Sequence, residues 1–116
     1  MKVGVIGCGA VTTYCHLPAL RRIPGVIVAA VADPDESSRS RAASAARAAP
    51  YKSAEVLLSS ADVDAVIVAV PTGMHASIGA MAARAGKSFY LEKPIATEFD
   101  DARLLRDACD AASVRA

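Results

Sequence analysis

Two stretches of this chain, Val26–Ala32 and Ala65–Val70, are apolar at almost every position instead of at every second one. A strand with one wet face alternates, so a run without alternation describes a strand covered on both sides. Lys2–Ile6 and Ser88–Leu91 add two shorter β-rich runs, and helical segments fill the intervals between them. That order restricts the fold to one α/β class: a parallel sheet with helices on both faces and right-handed crossovers.

Local signals set the expected boundaries. A helix is expected from about Val11 to Arg22, bent at Pro18, with Pro24-Gly25 turning the chain into the second strand. Pro34 sits at a helix start, and the spacing predicts helix over Asp35–Ala49 until Pro50 stops it. A short third strand is expected at Tyr51-Lys52, after which Ser53 caps a helix carrying Val56, Leu57 and Leu58. Asp64–Val70 reads as the fourth strand and Pro71-Thr72-Gly73 as a turn. A helix from about Met74 to Ala85 ends at Gly86, before the fifth strand at Ser88–Leu91. Thr97 and Asp100 resemble a capping pair, and Ala102, Leu105, Cys109 and Ala112 line one face of the last helix. At 116 residues, 53% of them hydrophobic, the chain supports one domain over residues 1–116.

Composition removes several function classes. Thirteen Lys and Arg against twelve Asp and Glu leave a formal charge of +1, with three Tyr, two Phe and no Trp. Neither a basic footprint nor a stacking platform for nucleic acid is present. No apolar run reaches the ~18 residues of a membrane span, and Met1-Lys2 runs straight into a strand, so a cytoplasmic location is expected. Cys8, Cys15 and Cys109 lack the spacing of a zinc site, and no metal is expected.

In a doubly wound sheet, ligands bind at the carboxyl ends of the strands, where Gly7, Asp33, Pro71 and Glu92 all fall. Gly7 permits a tight turn after the first strand. Gly9 lets the backbone approach a pyrophosphate held by the helix that Ala10 and Val11 open. Thr12 stands where a third glycine would allow close packing, and its hydroxyl is free to bond a phosphate or a nearby carbonyl. About two dozen residues on, Asp33 ends the second strand where a ribose diol would lie. Its carboxylate suits both ribose hydroxyls and repels a 2′-phosphate, which favours NAD over NADP; Arg39 and Arg41 keep NADP open. Capping of the following helix is the alternative role for Asp33. His16 reads as a structural or surface residue.

Taken together, VGVIGCGAVTTYCHLPALRRIPGV, ADPD, VIVAVPTGMHA and FYLEKPIAT resemble the Gfo/Idh/MocA oxidoreductases over essentially the whole chain. The resemblance implies an NAD(P)-binding Rossmann domain, followed in the family by a substrate domain, and hydride transfer to or from sugars, cyclitols and related polyols. It implies that Gly7 and Gly9 form the pyrophosphate loop and Asp33 the ribose contact. Val70, Pro71, Thr72 and His75 would flank the cofactor, with capping or polar packing the alternative for His75. Glu92, Lys93 and Pro94 match the motif whose lysine projects toward nicotinamide and substrate.

Against that family this chain is expected to lack the sixth strand and the C-terminal substrate domain. It should therefore bind cofactor without turning over a polyol by itself. A stand-alone, non-catalytic NAD-binding or regulatory module is the alternative reading. With no sixth strand, the edge at residues 88–91 is expected to carry unpaired backbone groups and to favour homo-oligomers.

Overall fold

The computed structural model describes residues 1–116. Five strands, β1 (Lys2–Ile6), β2 (Ile27–Ala32), β3 (Ala49–Tyr51), β4 (Ala65–Val68) and β5 (Ser88–Leu91), form one sheet in the order β3-β2-β1-β4-β5. Every adjacent pair is parallel. This is the Rossmann-like arrangement expected from the non-alternating runs, with the order reversing beside β1.

Helices α1 (Leu17–Leu20) and α2 (Glu36–Ala46) cover one face. Their core includes Val5, Leu17, Val28, Val31 and Ile67. The helices α3 (Ala54–Ser60), α4 (His75–Arg84) and α5 (Phe99–Ala112) cover the other, where Leu57, Val66, Val68, Ile78, Phe89 and Leu105 pack together. Burial of each such aliphatic or aromatic side chain contributes about 1.5–3 kcal/mol. Within β2 the register slips, because Val3 pairs with Val28 but Gly4 pairs with Ala30. The extra residue, Ala29, bulges the strand and lets Val28 and Ala30 face opposite cores.

Several boundaries differ from those expected. Helix α2 ends at Ala46, short of Pro50, because Arg47 adopts the left-handed conformation with φ of 56°. Pro50 then lies inside β3, opposite Val31. An edge strand tolerates a residue without an N–H, which is why the proline punctuates nothing here. β4 closes at Val68, two residues early. Thr97 does not cap α5: Glu98 occupies the cap position, and no side chain bonds there.

Other local signals hold. Ser53 Oγ accepts the Val56 N–H at 3.4 Å. Gly86, with φ of 69°, closes α4: its N–H reaches Ala83 O and the next N–H, that of Lys87, reaches Ala82 O. The edge of β5 is less open than expected, since Phe89 N–H donates to Arg115 O at 2.9 Å and Ser88 Oγ accepts from Arg115 N–H. No helix is long and apolar enough to cross a membrane.

The first helix carries the largest departure. Residues 12–16 form a π-turn, Thr12–His16, in which Leu17 N–H bonds Thr12 O. Pro18 has no N–H to donate to Tyr14 O, and its ring crowds that carbonyl, so the α-helical ladder fails at this point. The bend expected at Pro18 is thus a widened turn just before it.

Candidate functional site

The carboxyl ends of β1, β2 and β4 open onto a cleft of about 520 Å³, lined among others by Gly7, Gly9, Asp33, Pro34, Val70 and Pro71. Gly7 is held at φ of +95°, and a Cβ on it would stand 2.2 Å from Ala69 O. It therefore serves two ends at once, turning the chain after β1 and admitting the backbone that leaves β4. A Cβ on Gly9 would meet nothing within 4 Å. The space above Gly9 faces the first turn of the helix over residues 10–20, whose leading N–H groups have no intrahelical acceptor.

Thr12 takes the carbonyl of the two partners open to it. Its side chain is fully buried and Oγ1 donates to Gly7 O at 2.6 Å. The hydroxyl thus braces the glycine loop from beneath, while Ala10 and Val11 are exposed at the helix start.

Asp33 is fixed before any ligand arrives. Cys8 N–H donates to Oδ2 at 2.7 Å and Asp35 N–H to Oδ1 at 2.8 Å. A carboxylate offers about four acceptor sites, so both oxygens keep capacity for a diol. Capping of α2 falls to Asp35, whose Oδ2 accepts from Ser38 N–H and whose carboxyl is held below its usual range by that bond. Arg39 Nη1 is engaged by Asp33 O at 2.7 Å and Pro34 O at 3.2 Å.

On the other side of the switch point, Thr72–Met74 makes one 3-10 turn, and Thr72 O accepts the N–H of His75. His75 is only 2% exposed. Its Nδ1 lies 2.6 Å from Pro94 O and its Nε2 2.8 Å from Val70 O, so polar packing describes its side chain. Glu92 is half-buried, Lys93 and Pro94 are exposed, and these three stand at the β5 end, outside the lining of the 520 Å³ cleft.

Two groups of residues escaped the sequence reading. Lys52, Ser53 and Glu55 also line the cleft. Placing Lys52 in a strand hid them; the β3 end falls at Tyr51, and the loop beyond it naturally faces the cleft. His16, read as structural or surface, has Nε2 at 2.9 Å from Glu92 Oε1, without hydrogen-bond geometry, and its ring edge meets Tyr90 at 5.7 Å between centroids. No local signal joins positions so far apart in sequence.

This fold and this set of strand ends define a dinucleotide-binding Rossmann domain. Over residues 1–116 the sequence matches the Gfo/Idh/MocA oxidoreductase family, NAD-binding Rossmann fold, and the chain belongs to that family. It is 37% identical to D-apiose dehydrogenase of Paraburkholderia graminis over 97% of this chain and 30% of that protein. Inositol 2-dehydrogenase 2 of Saccharopolyspora erythraea is 39% identical over 84% of this chain and 29% of its own length. Among solved structures, the WlbA dehydrogenase from Bordetella pertussis in complex with NADH and UDP-GlcNAcA superimposes with a TM-score of 0.95. Its identity is 29%, over 99% of this chain and 36% of that one. A 3-ketoreductase from Actinomadura kijaniata in complex with NADP and TDP-benzene gives 0.91 at 33% identity, covering 98% and 35%. The chain thus spans about a third of the length of these relatives.

Proposed function

We propose that this domain binds NAD across the carboxyl ends of β1, β2 and β4 and presents Lys93 to a sugar, cyclitol or related polyol undergoing hydride transfer. The observation that carries the reading is the pairing, on one cleft, of open space above Gly9 with an Asp33 carboxylate already oriented by two backbone N–H groups. The residues present fit the cofactor. Gly7 and Gly9 leave room for a pyrophosphate at a helix start, Asp33 accepts from the ribose diol, and Val70, Pro71 and Thr72 flank the route toward β5. When bound, a nicotinamide supplies the hydride acceptor or donor.

Lys93, as an ammonium, donates a hydrogen bond to the reacting oxygen and stabilises negative charge developing there. An ammonium only donates, so the hydroxyl proton requires a separate acceptor, and such help is worth ~10²–10⁴ in rate. NAD is favoured over NADP because Asp33 repels a 2′-phosphate and Arg39 is committed to two carbonyls. Self-association along β5 is a further part of this reading: beside that strand lies an apolar groove of about 660 Å³ that includes Phe89, Ile95 and Leu105. Sedimentation across a wide concentration range tests it, and a strictly monomeric chain would count against it.

The central test is calorimetric titration of the chain with NAD and with NADP. Asp33→Ala is expected to weaken NAD about tenfold or more, the equivalent of one lost charge-assisted hydrogen bond, and to weaken NADP less. Equal losses for both cofactors, or no NAD binding by the unaltered chain, would refute the assignment.

A further inference from the structure

Lys93 projects from a short loop whose two neighbours are each held by a histidine from another element. On one side His75 Nδ1 reaches Pro94 O at 2.6 Å. On the other, His16 Nε2 stands 2.9 Å from Glu92 Oε1, while Glu92 Oε2 accepts the N–H of Lys93 itself at 3.2 Å. A lysine carries about four rotatable bonds beyond its backbone, so its precision at a reacting atom begins with how firmly the backbone is fixed.

The π-turn explains why His16 is available for this contact. In an uninterrupted α-helix, position 16 would follow Thr12 on the core-facing side, four residues on. Here the i to i+5 bond from Leu17 N–H to Thr12 O passes that place to Leu17, which is buried beside Thr12. His16 is turned aside, 14% exposed at its side chain, toward a Glu92 that is 20% exposed. The two side chains are largely out of solvent and in contact at 2.9 Å, so displacing either one disturbs the other. Tyr90, edge-on to the imidazole, limits its rotation.

We infer that His16 is a positioning residue for Lys93, acting through Glu92: it holds the carboxylate that in turn fixes the Lys93 backbone. The proposal rests on the reading of Lys93 given above, but its test does not need the cofactor. Backbone ¹⁵N relaxation on the full chain reads the order parameter at the Lys93 amide. The unaltered chain is expected near ~0.85, the value of rigid backbone, and His16→Ala below ~0.6, with Val5 and Val68 unchanged.

His16→Gln, whose side-chain amide can approach Glu92 as the imidazole does, is expected to restore order. Glu92→Ala removes the acceptor of the Lys93 N–H without touching the helix and is expected to loosen Lys93 as His16→Ala does. An unchanged Lys93 amide in His16→Ala or Glu92→Ala, or equal loss in His16→Ala and His16→Gln, overturns the proposal. Absence of NAD binding by the unaltered chain would overturn the proposed function and leave these relaxation results standing.

Discussion

The loop after β1 and the loop after β5 are held in opposite ways. Around Gly7–Thr12 the holding falls mostly to backbone groups and the loop's own hydroxyl: Gly7 N–H bonds Ala32 O at the adjacent strand end, the Thr12 hydroxyl bonds Gly7 O, and one side chain from beyond the loop, Asp33, accepts Cys8 N–H. Around Glu92–Pro94 the sheet holds only Glu92, whose N–H bonds Val68 O, and the side chains that reach the loop come from distant parts of the chain, His16 and His75. A self-fixed loop loses its shape when its own residues change. A braced loop loses it when residues elsewhere change, and keeps it when the residue at its tip changes.

The sharpest expected contrast is chemical. Burial first, and the neighbouring Asp33 carboxylate second, push the Cys8 thiol up to about 12. Cys15, by comparison, is exposed on the π-turn. Alkylation near pH 8 followed by peptide mass analysis should modify Cys15 at least ~10³-fold faster than Cys8. Rapid Cys8 labelling would show that the first loop opens and would break the comparison. The same shift has a stability consequence: burial favours the neutral thiol. Its contribution is therefore intact below the ordinary value of 9.0 and is lost as pH rises toward about 12.

Gly7→Ala comes next. Its Cβ would collide with Ala69 O, and φ of +95° is hostile to a side chain, so a loss above ~3 kcal/mol in denaturant melts is expected. Thr12→Val keeps the volume but removes the donor to Gly7 O, with an expected cost of about 1–3 kcal/mol. Lys93→Ala should change stability by less than ~0.5 kcal/mol and NAD affinity by less than about twofold. A melting temperature that falls as far for Lys93→Ala as for Thr12→Val would erase the distinction between the loops.

What the sequence disclosed follows the same division. Gly7, Asp33, Ser53 and Gly86 act within a few residues or at a strand end, and their turn and cap chemistry was readable in place. The parallel sheet covered on both faces followed from non-alternating apolar runs. Pro50 misled because a helix stop and an edge-strand residue look alike until the neighbouring strand is known. Thr97 with Asp100 had capping spacing, but the chain entered α5 one residue later. The link between His16 and Glu92 joins two elements through tertiary packing, and nothing near either residue announces the other.

The π-turn at Thr12–His16 has a last consequence, for length. Thr13, Tyr14 and Cys15 are exposed, and Tyr14 is 78% so. Their side chains can be exchanged with little effect on the core, yet they cannot be reduced in number. Removing any one would place Leu17 four residues after Thr12, as in an ordinary α-helix, and draw His16 one residue closer to Thr12. That stretch acts as a spacer whose residue count, and not its chemistry, sets how far His16 stands from the nucleotide loop.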